Sequence, residues 1–171
     1  MTPEIFAGLF TTEALRPFQP RPGENGLIPM LEVHTTTGIL VFLLALDDFN
    51  DWDQRRAHLA GLGHRCWQQG HTVTACRFGS GAWVRGFTQK EYAARDGRLI
   101  ETYPDRQEAI VVMGETAAGE TRIASAPLYR RPSGKVERVG TWEIKPYATM
   151  RSPLLEAFWR GYALATMPAM E

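Results

Sequence analysis

The sequence predicts an α+β fold, in which a single, mostly antiparallel sheet of about six strands carries helices packed on it. The apolar patterns follow one another as a helix, a hairpin, a second helix, a single strand, a three-stranded meander and a final helix. Connections inside the meander are short and rich in turn residues, and strands joined in this way pair antiparallel. A chain of 171 residues also fits one domain. Together these observations favour one sheet with helices packed against it.

The first 25 residues are predicted to form a helix and a proline-rich arm, with residues 26–171 as the body of the domain. Apolar side chains repeat at helical spacing over residues 3–15, and Pro3 suits the first turn of a helix. Three prolines follow within residues 16–23. Because proline lacks a backbone donor and fixes φ, we expect an extended connector there. We interpret the segment as an arm that packs on its own domain or on a neighbouring subunit.

The body opens with a predicted hairpin followed by a helix. The hairpin strands cover residues 27–35 and 39–46, and the second is apolar on both faces, which is typical of a central strand covered on both sides. We expect Asn50 to cap the helix and Gly70 to end it. The apolar stripe of this helix consists of Trp52, Leu59, Leu62, Cys66 and Trp67.

The remainder of the body alternates between predicted strands and turns. Residues 72–78 form a strand that continues through residues 82–85, and the polar residues 88–102 are predicted to be a mobile surface loop. The strands of the meander cover residues 107–114, 121–131 and 136–145. A final helix over residues 153–165 places one row of side chains on one side, namely Leu154, Leu155, Phe158, Trp159 and Tyr162.

Composition argues against several classes of protein. The 19 lysines and arginines balance the 19 aspartates and glutamates, so the basic excess of nucleic-acid-binding proteins is lacking. The longest apolar run, residues 38–46, is far shorter than the roughly 18 residues that a membrane span needs. The N-terminus lacks the basic region of a secretory leader, and we expect Cys66 and Cys76 to be reduced thiols. We therefore expect a cytoplasmic protein that binds neither nucleic acid nor membrane.

Two short segments carry a resemblance. Gly79-Ser80-Gly81-Ala82-Trp83 ends one predicted strand, and Tyr103-Pro104-Asp105-Arg106-Gln107-Glu108 opens the next after a polar loop. In this arrangement, residues 39–115 resemble a group of small bacterial and phage proteins that have no assigned function. An acid is common in that group where this chain has Gly81. The resemblance implies a single α/β-type domain and no catalytic residue.

Glu32 and His34 are the first candidates for a chemical site. They alternate with apolar residues, so both side chains are predicted to share one face of a strand. Such a pair suits two metal ligands or a general acid and base. The alternative is a solvated face on an edge strand, and the other histidines supply no spacing for a complete zinc site.

Pro104-Asp105 together with Glu143 and Lys145 resembles the carboxylate and lysine set with which metal-dependent nucleases hold Mg²⁺. The predicted strand over residues 121–131 lies between the two halves of this set, which argues against their meeting. Asp105, Arg106 and Glu108 are alternatively interpreted as an ion-pair cluster that holds the loop at residues 88–102.

Other constellations have simpler interpretations. Four aspartates, Asp47, Asp48, Asp51 and Asp53, lack the glycine and the distal glutamate of a calcium-binding loop, and helix capping explains them. Ser80 lies between glycines without the spacing or the following helix of a nucleophile elbow. The chain contains no phosphate-binding glycine loop either. We therefore expect neither a resident metal nor a cofactor.

The leading hypothesis is a non-enzymatic binding or assembly protein that forms a homodimer and takes an unidentified protein partner. It would associate through an exposed sheet edge, the proline-rich arm or the aromatic last helix, since aromatic side chains dominate the energetics of interfaces. The residues expected to bind are Trp83, Arg106, Trp159 and Tyr162.

The alternative hypothesis is a metal-dependent hydrolase or nuclease-like enzyme whose carboxylates converge in one cleft. Its candidate catalytic residues are Glu32, His34, Asp47, Asp105, Glu108, Glu143 and Lys145. A third hypothesis is a sensor with a small-molecule pocket between sheet and helices.

Overall fold

A computed structural model of the protein describes residues 1–45, 51–85, 88–94, 98–145 and 152–166. The helices are α1 (Pro3–Gly8), α2 (Trp52–Gln68), α3 (Gln89–Ala93) and α4 (Pro153–Thr166). The strands are β1 (Met30–Thr35), β2 (Ile39–Leu43), β3 (Val73–Val84), β4 (Gln107–Thr116), β5 (Thr121–Arg130), β6 (Val136–Val139) and β7 (Glu143–Lys145). Short 3-10 helices occupy Arg16–Phe18 and Ile100–Thr102. None of these helices is both long and apolar enough to cross a membrane.

All described strand pairs of the sheet are antiparallel, in the order β2-β1-β3-β4-β5-β6, and β7 also pairs with β5. The predicted fold class is therefore confirmed: the protein is α+β, with one mostly antiparallel sheet curled as a half-barrel and helices packed on it. The meander runs in chain order as predicted. The prediction of one last strand is wrong, because residues 136–145 form two strands with a break that begins at Gly140. The amide of Gly140 donates a hydrogen bond to the carbonyl of Pro127.

The two faces of the sheet bury separate cores. The helix face packs under α2 and α4, and its buried side chains include Leu31, Val33, Leu59, Leu62, Cys76, Leu155 and Phe158. The opposite face, here called the arm face, packs under residues 1–18, and its core includes Phe6, Phe10, Leu15, Phe18, Ile110, Val112, Ala124 and Leu128. The N-terminal arm therefore covers its own sheet.

Two glycines of the sheet receive phenylalanine rings from the arm. A Cβ atom added to Gly79 would lie 2.2 Å from Cδ1 of Phe18, and one added to Gly114 would lie 2.6 Å from Cζ of Phe10. Both rings are buried, so they have no space into which to retreat. Glycine at these two positions therefore allows the arm to approach the sheet backbone.

The two long helices also meet through glycines. A Cβ added to Gly63 of α2 would lie 2.1 Å from the carbonyl oxygen of Phe158, and one added to Gly161 of α4 would lie 2.0 Å from that of Ala60. Any larger side chain would separate the helices. The weak helix propensity of Gly63 is thus the cost of a close backbone contact.

Several predicted boundaries of the arm and the hairpin need correction. Helix α1 ends at Gly8 rather than at residue 15, and turns continue to a 3-10 helix at Arg16–Phe18 where an extended connector was expected. Pro17 is compatible with that helix because it occupies one of the first positions, whose backbone donors have no helical partner. Strand β1 starts three residues later than predicted, at Met30.

The prediction that the second hairpin strand is central is wrong. Among the described strands, β2 pairs with β1 alone and forms one edge of the sheet. Leu40 and Phe42 pack against the helix-face core, whereas Ile39, Val41 and Leu43 point to the arm face and are 58%, 56% and 67% exposed. The arm covers the middle of the sheet and does not extend over this edge.

Three further predictions about the central part of the chain change. The cap of α2 is Asp51, whose side chain accepts a hydrogen bond from the amide of Gln54, and Asn50 lies outside the described residues. Of the predicted stripe, Trp52 and Trp67 are exposed, while the other members are buried. Residues 88–102 include α3 and a 3-10 helix, so that segment is partly helical rather than only a loop.

We predict that Gly79→Ala destabilises the protein by about 1–3 kcal/mol, because the new methyl group overlaps the buried ring of Phe18. The matched control is Gly81→Ala in the same strand, where an added Cβ meets no atom within 4 Å. The control should leave the free energy of unfolding unchanged or raise it by up to about 1 kcal/mol. Urea unfolding of the three proteins measures the difference, and equal effects of both substitutions would contradict this packing.

Candidate functional site

Glu32 and His34 of β1 lie on the arm face beside Arg77 of β3, and the three side chains form a buried cluster. Arg77 Nη2 donates to both carboxylate oxygens of Glu32 at 2.8 Å, and Nε2 of His34 lies 2.7 Å from Oε1 of the same carboxylate. Glu32 and His34 are each 6% exposed and Arg77 is 3% exposed. The alternative interpretation, a solvated face on an edge strand, is therefore wrong, because β1 lies between β2 and β3 and the arm covers this face.

Arg77 joins this cluster to the N-terminal arm. Its Nη1 atom donates to the carbonyl oxygens of Leu9 and Ala14, and its guanidinium carbon lies 5.0 Å from the ring centre of Phe18. One buried cation thus binds a carboxylate in the sheet and two backbone acceptors in the arm. Hydrogen bonds from charged donors are stronger than neutral ones, so Arg77 fixes the path of the arm.

Opposing effects act on the carboxyl group of Glu32. Burial raises its pKa, while the contacts with His34 and Arg77 lower it, and the net effect is a pKa below the ordinary glutamate value. Glu32 is therefore the charged partner of Arg77 at neutral pH. Its oxygens are bound and shielded from solvent, which suits a structural tie better than proton transfer with a substrate.

The other predicted acids have separate partners. Arg85 Nε donates to Asp105 at 2.7 Å, and this hydrogen bond lowers the pKa of Asp105. Arg130 Nε donates to Glu108 at 2.6 Å. Arg106 instead lies over Trp83, with its guanidinium carbon 4.6 Å from the ring centre. Asp105, Arg106 and Glu108 thus form three neighbouring contacts rather than one cluster.

The nuclease-like set does not assemble. Glu143 and Lys145 belong to β7, lie 3.2 Å from each other and are exposed. Strand β5 separates β7 from β4, whose first residue follows Asp105 by two positions, so the predicted intervening strand is present. Asp47 lies outside the described residues. Within the described ranges, no three histidine, cysteine, aspartate or glutamate side chains gather as metal ligands.

The predicted binding residues form two pairs in different environments. Trp83 is 43% exposed and stacks with Arg106 on the surface. Trp159 and Tyr162 contact each other edge to face at 6.0 Å and pack against the helix-face core. The Tyr162 hydroxyl donates to the carbonyl of His71 and accepts from the amide of Val73. The second pair is thus occupied within the protein.

An exposed sheet edge was expected, but the sequence did not identify the apolar residues that form it. These residues are Ile39, Val41 and Leu43, here called the β2 row. Leu43 also lines an open groove of about 1300 Å³ that includes Leu27, Ile28 and Met30. The alternation of exposed and half-buried residues along β2 could not be recognised, because its residues are apolar on both faces.

We predict that Arg77→Met costs about 3–5 kcal/mol of stability, because it leaves the Glu32 carboxylate buried without its cation. The double variant Glu32→Gln/Arg77→Met should be more stable than Arg77→Met alone. Arg16→Met serves as a control, since Arg16 forms an exposed pair with Glu13 that is worth at most about 1 kcal/mol. Denaturant unfolding measures all three, and a double variant that is no more stable than Arg77→Met alone would refute the coupling.

The lowered pKa of Glu32 predicts a loss of stability in acid. A carboxyl whose pKa is lower in the folded than in the unfolded chain stabilises the fold above its unfolded pKa, and the contribution disappears as the pH falls through the folded value. As the pH falls from neutral to below the ordinary glutamate value of 4.5, the wild type should therefore lose stability relative to Glu32→Gln/Arg77→Met. Urea unfolding across this range measures the difference, and a constant difference would show that Glu32 does not contribute.

Comparison with family models, with curated proteins and with solved structures finds no match to this chain. The resemblance to small bacterial and phage proteins therefore stays a prediction. The function has to be inferred from the geometry of this chain itself.

Proposed function

We propose that the chain is a non-enzymatic binding or assembly protein that forms a homodimer through the outer edge of β2. The observation that carries this proposal is the β2 row, three large apolar side chains that are 56–67% exposed along an edge strand. A strand edge also offers unpaired backbone donors and acceptors. An edge of this kind suits the addition of another strand.

The other two predicted routes of association are occupied within the chain. The arm buries Phe6, Phe10, Leu15 and Phe18 against its own sheet, and α4 buries Leu154, Leu155 and Phe158 against β-strands and α2. Neither segment needs a second subunit in order to bury these side chains. This leaves the sheet edge as the best-supported route.

The two edges of the sheet differ in the way that the proposal requires. At the β6 edge, exposed Glu137 and Arg138 supply the charges with which natural proteins block edge-to-edge pairing. Strand β2, Ile39–Leu43, contains neither a charged residue nor a proline. Residues that block pairing with another strand are therefore present at the β6 edge and lacking along β2.

The absence of charge on β2 favours a second copy of the same chain as the partner. Two copies of β2 can pair antiparallel about a two-fold axis at Val41, which is the middle of the strand, so that Ile39 of each copy lies opposite Leu43 of the other. No like charges meet in this arrangement. The two β2 rows then join into one apolar surface that continues into the groove at Leu27 and Ile28.

Expectations about location and other partners belong to the same proposal. Cys66 and Cys76 are both free and buried, which agrees with a cytoplasmic protein that keeps its thiols reduced. The balanced charge supports a protein partner over nucleic acid. The hydrolase alternative requires converging carboxylates, and the described residues provide no such group.

We predict that Val41→Lys weakens self-association by about 100-fold or more, because each new ammonium group would face its own copy across the two-fold axis. The matched control is Ile5→Lys, since Ile5 is 58% exposed and lies on α1 away from β2. Size exclusion coupled to light scattering over a concentration series measures the effect. A wild-type protein that stays monomeric throughout, or equal effects of both lysines, would contradict the proposal.

A further inference from the structure

Three glycines lie within the described strands, and all three are on the arm face: Gly79 and Gly81 of β3 and Gly114 of β4. The first and the third lie under the rings of Phe18 and Phe10. Gly81 follows Gly79 by two residues, so it presents the same face one pleat further along the strand. No described atom lies within 4 Å of the position that its Cβ would occupy.

Neither the backbone nor the packing of the described chain requires glycine at position 81. Its φ is not among the positive values that favour glycine, unlike those of Gly70 and Gly119. Glycine inside a strand weakens it and often marks a place where a ligand or another backbone approaches closely. The surface over Gly81 therefore resembles the surfaces over Gly79 and Gly114, except that no aromatic ring of the described chain lies on it.

A cavity of about 360 Å³, open to solvent, is lined in part by Gly81. Apolar walls are provided by Ile28, Leu44 and Leu128, and the polar end holds Glu108 and Arg130. This volume lies within the range of small-molecule sites, which are apolar with a few placed polar groups.

The polar end of the cavity is better suited to accept than to donate hydrogen bonds. Arg130 already donates to Glu108 and to the carbonyl oxygens of Asn25 and Gly134. The carboxylate of Glu108 accepts from Arg130, and each of its oxygens keeps a further lone pair. A ligand that reaches this end would therefore be the hydrogen-bond donor, and the carboxylate of Glu108 would be the acceptor.

We propose that the cavity over Gly81 binds a small molecule with a flat aromatic ring and a neutral hydrogen-bond donor, such as a phenol or an indole. The ring lies on the Gly81 backbone as Phe18 lies on Gly79, and its O–H or N–H donates to Glu108. No residue of the β2 row lines this cavity, although Ile28 borders both the cavity and the groove next to Leu43, and the inference does not depend on dimer formation.

The test is an NMR titration of ¹⁵N-labelled full-length protein with phenol, with indole and with benzoate. Phenol and indole should give saturable shifts at the amides of Gly81, Ile110 and Leu128. Benzoate should bind at least tenfold more weakly, because it offers no donor and its charge is repelled by Glu108. Benzoate binding as tightly as phenol would overturn the assigned ligand class.

Substitution of the glycine tests the position itself. Gly81→Leu fills the cavity and should weaken phenol binding at least tenfold, whereas Gly61→Leu should leave it unchanged, because Gly61 lies on α2 and is equally open. Gly81→Ala replaces the leucine variant if circular dichroism shows that the latter is unfolded, and it should still weaken binding.

Two further results would overturn the inference. These are the absence of saturable shifts near Gly81 and unchanged binding by the folded Gly81 variant.

Discussion

The close approach of the N-terminal arm to the sheet is the constraint on which the rest of this structure depends. Two phenylalanine rings pack directly on backbone at Gly79 and Gly114, and no other residue type leaves space for them. Arg77 then ties the arm to the sheet by binding Glu32 on one side and arm carbonyls on the other. Apolar packing provides the larger share of the stability, and the buried charges specify where the arm lies, because an unpaired ion in this place would be strongly destabilising.

The path of the arm also decides which surface remains for binding. Residues 1–18 cover the middle of the arm face, and α2 and α4 cover the opposite face. The β2 row is left exposed, with Leu43 at a groove that the arm borders, while the edge at β6 carries exposed charges. An arm exchanged between subunits would have produced a different interface. Because the arm closes on its own sheet, the edge strand becomes the surface through which we propose that copies of the chain meet.

Local patterns predicted most of the elements, but not their neighbours. Turn residues and apolar alternation placed the meander, and Gly70 ended α2 as expected, with a φ of 77°. The wrong prediction that β2 is a central strand has a physical cause. Apolar residues on both faces are typical of a central strand, but the order of the sheet depends on the long-range pairing of β3 with β1. For the same reason, the shared face of Glu32 and His34 could be predicted but their burial could not. Nothing near Arg77 in the sequence indicates that it binds Glu32.

Hydrogen–deuterium exchange of β2 at different protein concentrations tests the central claim most directly. Half of the backbone groups of an edge strand are unpaired in the monomer and become protected when a second strand adds to it. The account predicts that exchange of residues 38–45 slows as the concentration rises, while exchange at the charged β6 edge stays constant. Exchange at β2 that is fast and independent of concentration would contradict assembly through this edge.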